Sequence, residues 1–109
     1  MISTREEAEL MFNKWMESSS KIFFTALRPD RTTVDSFYGS IVGISEDLVL
    51  VMGEGVRAEV DLRDAQFAFV TERDLPAEVT KEIRSGFDSG IFISKADGFM
   101  YAFLETGEE

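Results

Sequence analysis

The chain has 109 residues with no cysteine and no histidine, and its 21 acidic against 11 basic residues give a net charge of −10. That length suits one domain spanning residues 1–109 with a single hydrophobic core, and 44% hydrophobic with 29% charged residues is the balance of a folded soluble protein. The acidity disfavours nucleic-acid backbones and anionic membranes as partners, while the missing histidine and cysteine exclude thiolate nucleophiles, Ser-His-Asp triads and the common zinc sites.

The N-terminus, MISTREEAEL, is polar and acidic where a secretory signal needs basic residues and then an apolar run. No stretch approaches the roughly 18 apolar residues of a spanning helix, so a cytoplasmic location is expected. Residues 4–18 predict an amphipathic helix. Thr4 with Glu7, or Ser3 with Glu6, supplies a capping box, and Ala8, Met11, Phe12, Trp15 and Met16 fall on one face. KIFFTAL (21–27) reads as a strand apolar on both faces, and Pro29-Asp30-Arg31-Thr32 carries turn chemistry before a long strand from about Thr33. LVLVM (48–52) is a second doubly apolar run. After the turn at Gly53-Glu54-Gly55, Val56, Ala58, Val60 and Leu62 alternate with Arg57, Glu59 and Asp61, the pattern of a strand with one wet face, and Phe67 and Phe69 continue with period two. Asp74 and Pro76 open a short helix to about Ser85, with Val79 and Ile83 on its apolar side. GIFIS and FMYAFL then form a hairpin through Asp97-Gly98.

The expected fold is therefore α+β: an N-terminal helix, a strongly bent antiparallel β-sheet or small barrel, a second short helix and a C-terminal β-hairpin. Within FYGSIVGISEDLVLVMG (37–53), Gly39, Ile41, Gly43, Ile44, Leu48, Leu50 and Met52 frame the turn Ser45-Glu46-Asp47. This spacing resembles the first motif of the Sm-like family of small RNA-binding barrels, and the helix before it sits where that family has one. The resemblance implies a scaffold in which Gly39 or Gly43 lets a strand bend. It does not extend to RNA contact, because Ser45 and Val49 stand where that family places an aspartate and an asparagine. The basic residue next to glycine in its second motif has no counterpart in VTERDLPAEV.

Arg28 and Arg31, with Lys21, form the one basic spot that the sequence suggests for a bound phosphate. Their spacing is one residue short of the R-x-x-x-R of cyclic-dinucleotide-binding PilZ domains, and neutralisation of Asp30 and Asp35 in a solvated turn accounts for both arginines. Asp61 with Asp64, Glu46 with Asp47, and Asp88 with Asp97 are pairs with the chemistry for hard cations or acid–base work, but none has a metal-ligand spacing, and turns explain them all. No cofactor, no transition metal and no enzymatic activity are expected.

The remaining signal is the excess of two-faced apolar strands, in a chain with ten phenylalanines. In the closing strand, Phe99, Tyr101 and Phe103 alternate with Met100, Ala102 and Leu104, so one set is left needing cover. A homodimer through Phe99, Tyr101 and Phe103, with the hairpin at a sheet edge, is the expected solution. The function expected is a non-catalytic binding or assembly module acting through protein contacts. The alternatives are a small-molecule or nucleotide receptor using an aromatic cavity or the Arg28/Arg31 spot, and an acidic mimic of nucleic acid.

Overall fold

A computed structural model describes residues 2–30, 32–70 and 87–106. The chain begins with a two-residue strand β1 (Ile2–Ser3) and one helix α1 (Arg5–Ser18). Seven further strands follow: β2 (Ile22–Leu27), β3 (Thr33–Ile44), β4 (Leu48–Gly53), β5 (Val56–Asp61), β6 (Ala65–Val70), β7 (Phe87–Lys95) and β8 (Met100–Thr106). All pair antiparallel in one sheet of order β1-β6-β7-β8-β2-β3-β4-β5. The expected second helix, over 76–85, lies outside the described residues.

Helix α1 starts where the capping chemistry directs. Thr4 accepts from the Glu7 amide through its side chain, and the Glu7 carboxylate accepts from the Thr4 amide, satisfying two donors that the first turn leaves orphaned. The helix ends at Ser19, in the left-handed region at φ 54°, whose amide donates to the Met16 carbonyl. Its apolar face is the expected one: Ala8, Phe12 and Trp15 are fully buried, and Met11 and Met16 are half-buried against the same core.

That core is held in the hollow of the sheet. Strands β5 and β6 stand six positions apart in the sheet order, about 29 Å if the sheet were flat. Yet only Leu62, Arg63 and Asp64 join them, and the path from Asp61 to Ala65 reaches about 14 Å at most. The sheet must curl. Likewise α1 packs on both β3 and β6, four positions apart, which a helix of about 10 Å diameter does only from inside a concave surface. Inner residues from β2 to β8 accordingly share one cluster with Phe12 and Trp15. Phe103 lies 5.0 Å from Phe12 and 5.2 Å from Phe24, ring centre to ring centre, tilted or edge-on as aromatic quadrupoles prefer. The sheet is curled but not closed, since no described strand pairs with the outer edge of β5.

The curl is concentrated in β3, twelve residues long and interrupted twice. Its pairing with β2 slips at Ala26/Leu27, leaving Val34 unopposed, and its pairing with β4 slips between Ile41 and Gly43, leaving Val42 unopposed. Each extra residue bends the strand and increases its twist. The two candidate glycines have different roles. A Cβ on Gly39 would stand 2.2 Å from the Met52 carbonyl oxygen and 2.9 Å from the Gly53 amide nitrogen, so the backbones of β3 and β4 meet there with no room for a side chain. At Gly43, beside the bulge, a Cβ would meet only Leu50 side-chain carbons at 3.8 and 4.0 Å.

The C-terminal hairpin corrects an expectation from the sequence. β8 is a central strand between β7 and β2, not a sheet edge. Its inward residue Phe103 is fully buried in the chain's own core, Tyr101 is half-buried and stacked 6.3 Å from Phe24, and Phe99 precedes the strand in the turn. The reason is topological: β2 returns from α1 to pair with β8, so that both edges of β8 are occupied within the chain. On their outer faces Phe23, Leu27 and Leu104 form a second buried cluster with Val70 of β6.

Urea denaturation tests the distinction between the glycines. Gly39→Ala is expected to cost about 3 kcal/mol through the forced separation of two strands. Gly43→Ala, with space and an ordinary backbone conformation, is expected to shift stability by less than about 1 kcal/mol.

Candidate functional site

Three turns gather at one end of the curled sheet: Ser45–Asp47 between β3 and β4, Leu62–Asp64 between β5 and β6, and Ala96–Phe99 between β7 and β8. The Leu62 amide donates to the Asp47 carbonyl at 2.8 Å, fastening the second turn to the first. Arg5, in the first turn of α1, bonds the Glu9 carboxylate at 2.9 Å and the Asp47 carboxylate at 3.1 Å, and also donates to the Glu46 carbonyl. The Glu9 pair, aided by Asp47, raises the guanidinium above its usual pKa. Arg63 grips Asp61 at 2.8 and 3.1 Å, and Lys95 donates to the Asp61 carbonyl at 3.0 Å and to the Arg63 carbonyl. The side-chain hydrogen bond from Arg63 holds the Asp61 carboxyl well below the usual carboxylate range.

An open cleft of about 410 Å³ lies here, lined by Ser45, Glu46, Asp47, Leu48, Asp61 and Arg63. Two of its three acids are already engaged: Asp47 with Arg5 and Asp61 with Arg63. Among the described residues no three acidic side chains gather as a metal site. The cluster ties turns and helix together, which is strand-end chemistry. A neighbouring cleft of about 430 Å³ runs along β6, between Thr4 and Arg5 on one side and Ala65–Ala68 and Ser94 on the other.

Lys21 does not join Arg28 in the basic spot expected from the sequence. Lys21 precedes β2 and Arg28 follows it, so a six-residue strand of about 20 Å separates them. Lys21 sits 5.4 Å over the Tyr38 ring, whereas Arg28 bonds the Thr32 hydroxyl in the β2–β3 turn. That hydroxyl in turn donates to Asp30 at 2.7 Å and, with the Thr32 amide, lowers the Asp30 pKa. Arg31 lies outside the described residues, as does the side chain of Asp88. In the core the Phe103 ring packs against those of Phe12 and Phe24, at 5.0 and 5.2 Å between ring centres.

What the sequence reading passed over is the outer face of β3 and β4. The inward members of these strands, Ile41, Val49 and Val51, are buried. Their outward neighbours remain in water: Tyr38 is 43% exposed, Val42 46%, Leu48 39% and Met52 43%. Leu50 lies among them half-buried, and a shallow groove of about 290 Å³ passes over Gly43, Ile44, Ser45, Leu48, Leu50 and Glu59. On β5, Arg57, Glu59 and Asp61 border the patch opposite Met52, Leu50 and Leu48. The signal was the doubly apolar LVLVM itself, whose outward half is the patch. Comparison of the chain with protein-family models, curated proteins and solved structures found no match.

The Asp61–Arg63 pairing has a pH signature with a definite sign. A carboxyl held below its unfolded pKa of about 3.9 adds stability that is complete well above that value and is lost as pH falls toward the folded one. Urea titrations between about pH 5 and pH 2 are therefore expected to show a shallower acid loss of stability in Asp61→Asn than in the native chain.

Proposed function

We propose that this chain is a non-catalytic binding and assembly module, acting through protein–protein contacts on the outer face of β3–β5. The observation that carries the reading is the contiguous row Tyr38, Val42, Leu48 and Met52, exposed beside half-buried Leu50. Large apolar side chains grouped on one sheet face lose free energy in water that a protein partner recovers at about 25 cal/mol per Å² buried. A charged border around an apolar centre is the usual anatomy of such a surface, and Arg57, Glu59 and Asp61 provide it. The net charge of −10 disfavours polyphosphates and strongly acidic contact surfaces, leaving partners whose contacting surface is locally neutral or basic. The engagement of Asp47 and Asp61 by arginines supports a structural rather than a catalytic use of those acids.

A photo-crosslinking residue placed at Met52 or Val42, in the native host, tests the reading. Discrete protein adducts are expected from both positions and none from Asn13, an exposed residue of α1. Absence of adducts at both patch positions, or equal labelling from Asn13, would overturn it.

A further inference from the structure

The proposed binding surface ends at β5, whose outer edge no described strand occupies. We infer that a second copy of this chain pairs there, antiparallel, across a two-fold axis at Ala58, so that each Arg57 opposes the partner's Glu59. This names the partner within the assembly reading above and rests on it.

The backbone phase comes first. Glu54-Gly55 is a two-residue turn, which makes Gly53 and Val56 a hydrogen-bonded pair. From there every second residue of β5 bonds toward β4, and the Leu62 amide continues the same phase by donating to Asp47. Arg57, Glu59 and Asp61 therefore turn their N–H and C=O groups to the free edge. An isologous antiparallel pair uses these groups only if its axis passes through a residue of β5 and not between two residues.

The charges then choose among the registers. An axis at Arg57 sets arginine against arginine, and an axis at Glu59 sets glutamate against glutamate, while its two Arg57–Asp61 pairs compete with the Arg63 bond that Asp61 already accepts. One at Val60 sets Glu59 against Asp61. An axis at Ala58 sets Arg57 against Glu59 twice, gives four backbone hydrogen bonds between those residues, and opposes no like charges. It also puts the smallest side chain of the strand at the non-hydrogen-bonded crossing, where the two backbones come nearest.

The side chains are free to take these partners. Arg57 and Glu59 are 63% and 51% exposed, and their contact within one chain is a single 3.5 Å approach that an exposed pair surrenders at little cost. Met52 lies beside Arg57 and Leu50 beside Glu59 in the β4–β5 register, so the pairing joins two apolar faces into one row. The arginine stems cover its middle. Local neutrality at Arg57 and Glu59 is what lets a chain of charge −10 meet its own copy.

Sedimentation equilibrium on the purified full chain tests the register by charge exchange. The native chain is expected to sediment at twice its 12.3 kDa mass at micromolar concentration. Arg57→Glu and Glu59→Arg, each placing like charges opposite at two sites, are expected to weaken the dimer at least about tenfold. The double variant R57E/E59R restores both attractions and is expected to recover the native dissociation constant within about threefold. Circular dichroism and thermal melting confirm that every variant is folded. Amide exchange at Arg57 and Glu59 should slow as protein concentration rises. A native chain that stays monomeric to about 100 μM, or folded single variants that dimerise like the native chain, would overturn this pairing. So would a double variant that fails to recover. A monomer that still forms adducts from Met52 with a different protein would overturn the self-pairing alone, whereas absence of any adduct would remove the assembly reading with it.

Discussion

Everything in this fold depends on one helix face being enclosed by the sheet that follows it. Phe12 and Trp15 are fully buried, and a helix presents such residues on a single stripe that a flat sheet would cover from one side only. Here the sheet curls round them, because three residues are all the chain provides between β5 and β6. Two bulges in β3 supply the bend, and the glycine contact between β3 and β4 allows the strands to approach closely enough to hold it. Trp15 is anchored at its polar end too: its indole N–H donates to Glu105 at 3.0 Å, and Ser20 bonds the same carboxylate at 3.1 Å. Helix and final strand are thereby tied at the rim of the hollow.

Curling divides the apolar strands into two classes. In β2 and β8 both faces are buried, so Phe23 and Leu104 outside are as sheltered as Phe24 and Phe103 inside. In β3 and β4 only the inner face is buried, and Tyr38, Leu48 and Met52 are left in water. Side-chain composition does not separate these strands. Their neighbours do, and the strands left half-covered lie on the way to β5, the last strand of the sheet among the described residues, which is why the apolar patch lies beside that edge.

The ionic contacts serve this arrangement. Arg5 fastens the start of α1 to the β3–β4 turn, while Arg63 and Lys95 fasten the β5–β6 link, the three-residue connection between strands six positions apart in the sheet. Each pair is partly solvated and individually weak, but together they hold three turns in register at one end of the sheet. Asp47 and Asp61, two of the carboxylates that the sequence suggests for chemistry, are held by arginines at this end of the fold.

The sequence by itself determined the local elements. Thr4 and Glu7 set the start of α1, period-two alternation set β5 and β6, and Asp97-Gly98 set the last turn, because capping, alternation and positive φ each involve residues within a few positions of one another. The antiparallel character, the helix face and the irregularity of β3 beside Gly43 were legible for the same reason. The tertiary structure alone decided which strands became edges and which faces stayed wet. FMYAFL and LVLVM are equally apolar on both faces, yet the first is sandwiched between β7 and β2 while the second lies one strand from the edge. Strand order depends on pairings such as Phe24 with Phe103, about eighty residues apart, and no local pattern encodes a partner at that distance. Lys21 and Arg28 were separated by the same cause: proximity in sequence along an extended strand is about 20 Å in space.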